Sequence, residues 1–199
     1  DENASIPRGL DEAVEAIRNS KHTIAFTGAG ISVESGVPAF RGSQGLWSRY
    51  DPRVLDIDYF LEHGDKSWPY IREIFYDHFG QARPNPAHLV LARMEEAGLL
   101  DCVITQNIDN LHQMAGSRTV YEFHGNSSRL VCLRCGTVFA AAQIDMNDLP
   151  LRCPRDGSIL KPDFIFFGEG IPAQAFQKSF ENADRCEVCL VVGSTGEVM

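Results

Sequence analysis

One block of the sequence, residues 27–42, constrains the fold more than any other part of the chain. It is Thr-Gly-Ala-Gly-Ile-Ser-Val-Glu-Ser-Gly-Val-Pro-Ala-Phe-Arg-Gly and directly follows an apolar run at residues 23–26 that predicts a buried parallel strand. A strand that leads into a glycine-rich turn and a helix start is typical of nucleotide diphosphate sites. Glycines let the backbone approach the phosphates, and free N–H groups of the helix face the negative charge. The block departs from the common G-x-G-x-x-G pattern, because Val33 occupies the third glycine position.

Further apolar runs and helical repeats define the rest of the predicted fold. Strands are predicted at residues 102–105, 120–123, 164–167 and 188–193, and helices at residues 10–19, 87–97 and about 172–183. Residues 45–81 are rich in aromatic side chains and predict short helices packed over the site. With 199 residues, 44% of them hydrophobic, the chain can bury a core and form one or two domains. Because strands alternate with helices, we predict an α/β fold with a doubly wound parallel sheet.

A polar block follows each of four predicted strands. The blocks are Gly28–Gly30, Gln106–Asp109, His124–Gly125 and Gly193–Thr195. In a parallel sheet, ligands bind beyond the carboxyl ends of the strands, so we expect these blocks to form one site.

His124 is the candidate catalytic histidine. It follows a predicted strand and precedes a glycine, which indicates a fixed turn with the ring in the cleft. An imidazole is well suited to proton transfer near neutral pH. The alternative for any single histidine is a structural role. The other five keep that interpretation, with the last of them expected nearest the site: His22, His63, His78, His88 and His112.

Asn107 and Asp109 lie on either side of Ile108. On a short turn, a carboxylate and an amide at positions i and i+2 can both point into a single pocket. An Asn-x-Asp sequence is also common in ordinary turns, so by itself this pair does not decide between a site and a turn.

Four blocks, in this order along the chain, resemble the signatures of the sirtuins, the NAD-dependent protein-lysine deacylases. They lie at residues 27–42, 105–112, 122–125 and 161–169, and the likeness runs from about residue 10 to the end. The resemblance implies a Rossmann-like NAD-binding domain, formed by residues 1–125 and 162–199, which includes the helical segment at 45–81. A small zinc-binding module would be inserted at residues 126–161.

The resemblance also implies a reaction and roles for single residues. The acyl oxygen of an acetyl-lysine attacks the nicotinamide ribose and nicotinamide leaves. His124 then takes a proton from a ribose hydroxyl, and water finally releases lysine and O-acetyl-ADP-ribose. Asp109 would recognise the nicotinamide carboxamide, and Asn107 would orient a water or the ribose. Nicotinamide would therefore be a product, and NAD a consumed co-substrate.

Two larger sets of residues match the family motifs for ligand binding. In the NAD-binding set, Gln106 matches the ribose contact, and Phe40 and Arg41 match a flexible cover over nicotinamide. The whole set is Gly28, Ala29, Gly30, Val33, Phe40, Arg41, Gln106, Ile108, Asp109, Gly193, Ser194 and Thr195. The set for the acyl-lysine tunnel and the peptide is Ile165, Phe166, Phe167, Gly168, Glu169 and Ile171. Part of the second set could equally be core strand.

Other activities stay open. One is mono-ADP-ribosylation of a protein side chain, which cleaves the same cofactor but uses another acceptor. Another is an inactive NAD-binding or acyl-lysine-binding fragment, because the chain ends at Met199 whereas the sirtuin core continues with further strands. Residues 68–83 lack the Tyr-x-x-Arg pair of the branch that removes succinyl and malonyl groups, so short neutral acyl groups are favoured.

Four side chains have the spacing of a structural zinc site. They are Cys132, Cys135, Cys153 and Asp156, and the family has a cysteine at the last of these positions. A carboxylate oxygen can complete a zinc sphere. The alternatives are three cysteines with water, or no metal. The remaining close pair, Cys186 and Cys189, is expected to be buried thiols.

Charge and composition limit the partners. The formal net charge of −9 makes attraction to nucleic acid or to an anionic membrane improbable. An acidic surface would suit a basic, lysine-bearing peptide, although most cytosolic proteins are acidic as well. No apolar run approaches the length of a membrane span, and the cysteine usage fits a reduced compartment. We therefore expect a monomeric cytoplasmic protein whose partner is an acetyl-lysine protein or peptide.

Overall fold

A computed structural model of the chain describes residues 9–37, 49–78 and 80–195. The helices are α1 Leu10–Asn19, α2 Ile57–Arg72, α3 Pro86–Glu96, α4 Leu111–Ala115 and α5 Ala173–Arg185. The strands are β1 Thr23–Thr27, β2 Cys102–Thr105, β3 Val120–Glu122, β4 Gly125–Cys132, β5 Val138–Ala140, β6 Leu160–Phe164 and β7 Val188–Val192. Shorter segments of 3₁₀ or π helix are Ala29–Ser35, Pro52–Leu55, Glu73–His78 and Ala141–Gln143.

Four strands form a parallel sheet in the order β3-β2-β1-β7. The chain moves outward from β1 to β2 and β3, and it returns to the other side of β1 with β7. Such a reversal of strand order opens a crevice at the carboxyl ends of the strands, where ligands of α/β proteins bind. The predicted α/β fold and four of its predicted strands are thereby confirmed.

The central strands of the parallel sheet, β1 and β2, are covered on both faces, because successive side chains of a strand point to opposite faces. On one face, Ala25 and Val103 pack with Leu91 of α3. On the other face, Ile24, Cys102 and Ile104 form a second buried cluster. Phe176 of α5 packs near this second face, with its ring centroid 6.2 Å from that of Phe123.

The other three strands form an antiparallel sheet in the order β5-β4-β6. The strand predicted at residues 164–167 is wrong in extent and in place: only Phe164 lies in a strand, at the end of β6. Phe166 is buried against the ring of Phe60, at a centroid distance of 5.2 Å. An apolar run indicates burial, but burial does not require a strand.

The largest buried cluster of the described residues joins α2 to the antiparallel sheet. The indole nitrogen of Trp68, a fully buried residue of α2, donates a hydrogen bond to the carbonyl of Leu160 at 2.8 Å. Other members from both sides are Phe60, Ile71, Leu130, Leu151, Cys153 and Phe164. The helical segment is therefore packed on the module. Its described part contains α2, which is kinked at His63, and the short helical segments Pro52–Leu55 and Glu73–His78, in agreement with the predicted short helices.

No helix within the described ranges combines the length and the apolar character that are required to cross a bilayer.

Candidate active site

The glycine-rich turn after β1 lies against the end of β7. The N–H of Gly28 donates to the carbonyl of Val192 at 3.0 Å, and the N–H of Gly30 donates to the carbonyl of Gly193 at 2.9 Å. A side chain would not fit here, because a Cβ on Gly30 would lie 2.7 Å from the Cα of Gly193. Glycine is therefore required for contact between two backbones, and both of these N–H groups are already bonded within the protein.

Asn107 is buried at the carboxyl end of β2 and is held by its amide nitrogen. Nδ2 donates to the carbonyl of Gly28 and to Oγ of Ser32, both at 3.1 Å. The main-chain N–H of Asn107 donates to Oγ1 of Thr105 at 3.0 Å. Because the NH₂ group is committed to these two acceptors, any ligand contact of this side chain uses its carbonyl oxygen.

Ser32 connects Asn107 to Asp109. Its hydroxyl accepts from Asn107 and donates to Oδ2 of Asp109 at 2.7 Å. The other carboxylate oxygen of Asp109 accepts from the N–H of Leu111 at 3.0 Å. The carboxylate therefore has one fixed orientation before any ligand binds.

His88 adds a third contact to Ser32 and was not predicted to lie in the site. Its Nδ1 accepts from the N–H of Asn85 at 3.3 Å, so the proton of the neutral ring is on Nε2, 3.5 Å from Oγ of Ser32. Burial lowers the pKa of His88, and the nearby carboxylate of Asp109 opposes this shift. Ser32 lies within the glycine-rich block, so its position in the sequence could have indicated that it belongs to the site. The sequence around His88 did not indicate a place in the site, because this residue lies in the first turn of a separate helix, α3.

His112, the histidine expected nearest to the site, supports the site from beneath. Its Nε2 is 2.9 Å from Oγ1 of Thr27, and that hydroxyl donates to Oγ1 of Thr105 at 2.8 Å. His112 is therefore the donor to Thr27. Burial lowers the pKa of His112 to about 3, and the ring of His88 adds to this shift. A neutral buried histidine thus supports Thr27, which bonds to Thr105, and Thr105 holds the main chain of Asn107.

His124 lies two residues after the end of β3 and is half-buried. Its Nδ1 is 3.0 Å from the carbonyl oxygen of Gln106, which can only accept, so Nδ1 carries the proton and Nε2 is the basic nitrogen. Burial lowers the pKa of His124, and the bond to Gln106 partly opposes this shift. The side chain of Gln106 in turn accepts from Oγ of Ser194 at 3.0 Å.

A cavity of about 260 Å³ adjoins this group of residues. It is lined by Ala29, Asn107, Ile108 and Asp109, together with Val37 and residues of the helical segment and the module. The structure therefore brings together the turn after β1 and the block after β2, as the parallel sheet predicted. Of the remaining NAD-binding candidates, Val33 and Thr195 are exposed, and Phe40 and Arg41 lie outside the described residues.

The candidate substrate segment begins beside His124. The N–H of Ile165 donates to the carbonyl of His124 at 2.9 Å. Phe166 is buried, whereas Phe167, Gly168 and Ile171 are exposed. Phe167 also pairs with the segment before α2, since its N–H donates to the carbonyl of Leu55 at 2.8 Å.

Glu169, the remaining residue of this segment, is bonded to a buried lysine. Its carboxylate lies 2.8 Å from Nζ of Lys161, and its Oε2 accepts from the N–H of Phe166 at 2.7 Å. Burial lowers the pKa of Lys161, and the hydrogen bond to Glu169 opposes that shift. Sequence reasoning did not assign Lys161 a role, although it begins the fourth family block.

The four candidate metal ligands converge at one end of the antiparallel sheet. Their ligand atoms all lie within 4.8 Å of one another, and the residues are Cys132, Cys135, Cys153 and Asp156. Two equivalent turns present them: the N–H of Gly136 donates to the carbonyl of Cys132, and the N–H of Gly157 donates to that of Cys153. Hydrogen bonds, led by that from the N–H of Ser158, lower the pKa of Asp156 to about 2, so its carboxylate is ionised.

These distances fit a tetrahedral zinc ion. With usual Zn–S and Zn–O lengths, two sulfurs are about 3.8 Å apart and a sulfur and an oxygen about 3.6 Å apart. Sγ of Cys135 is 3.8 Å from Sγ of Cys153, and Sγ of Cys132 is 3.5 Å from Oδ2 of Asp156. The donor set and its dimensions therefore suit structural zinc. The expectation that Cys186 and Cys189 are buried thiols is wrong for Cys189, which is exposed on the outer strand β7, whereas Cys186 is half-buried.

Comparison with known proteins agrees with this geometry. Residues 28–199 match the model of the Sir2 family. The chain belongs to the Sir2 family. Among curated sirtuins, it is 45% identical over 197 residues to an NAD-dependent protein deacetylase of Caldivirga maquilingensis, covering 97% of this chain and 76% of that one. It is 38% identical over 190 residues to the NAD-dependent protein deacetylase of Thermotoga maritima, covering 94% and 76%.

Solved sirtuin structures share the fold. A complex of Sir2 with a p53 peptide and NAD⁺ has a TM-score of 0.85 and 36% identity, and the match covers 95% of this chain and 77% of that one. Sir2Tm bound to a propionylated peptide has a TM-score of 0.84 and 35% identity, with the same coverage.

Proposed function

We propose that this sirtuin removes acetyl groups from protein lysines at the expense of NAD, giving nicotinamide, O-acetyl-ADP-ribose and free lysine. The observation that carries this proposal is the bond between His124 and the carbonyl of Gln106. It places a neutral imidazole, with Nε2 as its base, directly beside the residues that we assign to NAD. Relatives with NAD-dependent deacetylase activity in their names support the same reaction.

Asn107 and Asp109 serve the nicotinamide end of NAD. The carboxylate of Asp109, fixed by Ser32 and Leu111, accepts from the nicotinamide carboxamide. The carbonyl oxygen of Asn107 orients the ribose or the attacking water. Both residues line the cavity, which is large enough for a nicotinamide ring.

The remaining NAD-binding residues serve the ribose and the phosphates. The turn at Gly28–Gly30 and the end of β7 at Gly193–Thr195 form the wall of this subsite, and Gln106 connects them through Ser194. Because the N–H groups of Gly28 and Gly30 bond to β7, these glycines shape the wall and do not donate to phosphate. Ala29, Val33, Ile108, Phe40 and Arg41 complete the proposed set.

His124 is the general base of the reaction. After the acyl oxygen displaces nicotinamide, a ribose hydroxyl must lose its proton in order to attack the acylated carbon. Nε2 accepts that proton, while the bond from Nδ1 to Gln106 stabilises the imidazolium that forms. A lowered pKa keeps the ring neutral, and therefore basic, at physiological pH.

The acetyl-lysine peptide binds along the segment from Ile165 to Ile171. Phe167, Gly168 and Ile171 are exposed for this purpose, whereas Phe166 supports the segment from the core. A short neutral acyl group is the expected substrate. Zinc, held by the three cysteines and Asp156, supplies folding energy to the module and takes no part in the reaction.

We also propose the division into a Rossmann-like domain, residues 1–125 and 162–199, and a module at residues 126–161. The antiparallel sheet β5-β4-β6, which is separate from the parallel sheet, supports treating the module as a unit of its own, and α2 packs on it. A monomer in the cytoplasm that binds no nucleic acid fits the net charge of −9 and the free thiols of the described residues.

The decisive experiment is an incubation with NAD and an acetyl-lysine peptide, followed by mass spectrometry and a nicotinamide assay. Loss of acetyl from the peptide with formation of acetyl-ADP-ribose is the expected result. A gain of ADP-ribose on a protein side chain would instead establish ADP-ribosylation. Absence of nicotinamide release, with and without peptide, would leave only binding and would overturn the proposed reaction.

A further inference from the structure

Lys161 is an unusually buried charged residue. Its side chain is only 4% exposed, and its ammonium sits 4.2 Å from the centroid of the Phe166 ring. Burying an ammonium is costly unless its donors are satisfied. All three N–H donors of Lys161 have partners: the carbonyls of Pro162 and Phe164, at 3.1 and 2.7 Å, and the carboxylate of Glu169, at 2.8 Å.

Glu169, the charged partner, closes a tight turn. Its N–H donates to the carbonyl of Phe166 at 3.0 Å, and its Oε2 accepts from the N–H of Phe166 at 2.7 Å. Both main-chain groups of Phe166 are therefore bonded to the same glutamate. Gly168 stands at the third position of this turn with φ +91°, a conformation that favours glycine there.

The turn is connected to both sides of the site. On one side, Ile165 bonds to the main chain of His124. On the other side, the main chain of Phe167 pairs with that of Leu55 and Ile57, before and at the start of α2. The ammonium of Lys161 lies at the centre of this path and ties the turn to β6.

We propose that Lys161 is a positioning residue for the peptide substrate. Through Glu169 it fixes the turn at residues 166–169, and the turn presents Phe167, Gly168 and the residues that follow to an extended acetyl-lysine peptide. This inference rests on the proposed function. Main-chain pairing with an extended peptide requires a rigid edge, because ordering a mobile one would cost part of the binding energy.

The test compares Lys161→Met with Lys161→Arg, and with Lys178→Met as a matched control. Methionine keeps an unbranched apolar stem of similar length and removes the charge, whereas arginine keeps the charge. Lys178 forms an exposed pair with Glu181 on α5, at 2.6 Å, and does not belong to this turn. Steady-state KM values for peptide and for NAD are measured, together with direct calorimetric binding of the acetyl-lysine peptide.

For Lys161→Met we expect peptide KM and Kd to rise about tenfold or more, with NAD KM changed by less than about twofold. Lys161→Arg should recover part of the peptide affinity, and Lys178→Met should match wild type. Hydrogen exchange at the N–H groups of Phe166 and Glu169 should become faster in Lys161→Met, because their turn loses its tie to β6.

An unchanged peptide affinity in folded Lys161→Met would overturn the proposal, as would an equal loss for NAD and peptide, which would indicate a general structural defect. If Lys161→Met does not fold, the same peptide and NAD measurements are made on Glu169→Gln. This variant keeps an acceptor for the N–H of Phe166 but removes the charge that Lys161 binds. Absence of turnover and of peptide binding in wild type would refute the proposed function itself, and this inference with it.

Discussion

Replacing His124 by alanine is the sharpest test of the proposed mechanism, because loss of the proposed catalytic base can be measured apart from any loss of stability. The ring is half-buried and, among the described residues, makes one hydrogen bond, from Nδ1 to the carbonyl of Gln106 at 3.0 Å. Loss of one such bond costs about 1 kcal/mol of folding free energy, against a usual total of about 5–15 kcal/mol. His124→Ala should therefore fold.

Catalysis should suffer far more than folding. A general base contributes about 10²–10⁴-fold to a rate, which corresponds to about 3–5.5 kcal/mol on the activation barrier. Release of nicotinamide comes before the proton transfer, so exchange of labelled nicotinamide into NAD should survive in His124→Ala while deacetylation is lost. The pair of assays thereby distinguishes a missing base from a damaged NAD site.

The pH dependence of the wild-type enzyme gives an independent check. Only the neutral ring accepts a proton, so the rate falls as the pH drops through the pKa of His124. Burial lowers that pKa from its usual 6.5, and the acidic limb of the kcat profile should therefore lie below pH 6.5. His63→Ala, which changes a partly exposed histidine of α2, serves as the control. Deacetylation in His124→Ala within tenfold of wild type, or an acidic limb that is unchanged in that variant, would refute the reasoning.

Three further outcomes follow from the site. Asp109→Asn should weaken nicotinamide inhibition and raise the apparent KM for NAD about tenfold, because an amide oxygen accepts a weaker hydrogen bond from the nicotinamide carboxamide than a carboxylate does. Unchanged inhibition curves would show that Asp109 has another role. Purified protein should contain one zinc, which Asp156→Cys should release to a chelator more slowly than wild type and Cys132→Ser more rapidly, since thiolate is the better zinc donor; metal analysis that finds no zinc would rule out the site. Gly30→Ala should lower the free energy of unfolding by about 1–3 kcal/mol, because its methyl group would overlap the main chain of Gly193; an unchanged denaturation midpoint would mean that this contact is looser than the structure has it.

The sequence predicted the parallel sheet well because its two central strands, β1 and β2, are largely buried and form continuous apolar runs that end at polar blocks. The outer strand β7 is an apolar run as well, although its Cys189 and Val191 are exposed. The same property misled at residues 164–167. There Phe166 is buried against Phe60, and this contact between residues distant in sequence leaves no periodic pattern.

The candidate site was predictable where one block of sequence supplied several of its members. Asn107 and Asp109 lie on a single turn, and the structure indeed links both to Ser32. His88 could not be found in this way, since α3 brings it to Ser32 from 56 residues away and its local sequence accounts fully for it as part of a helix cap. The neutral state of His112 likewise depends on how deeply it is buried, which its sequence does not reveal.

The hydrogen bond between Trp68 and Leu160 has a consequence for the folding of the protein during its synthesis on the ribosome. The two residues are separated by 92 positions, so the indole emerges long before its acceptor is synthesised. At usual elongation rates the delay is about 5–18 s, which is long compared with the microseconds in which a helix forms. During that interval α2 has its apolar face uncovered. Nascent chains that end between the two residues are therefore the ones that should attract chaperones and be cleaved by proteases.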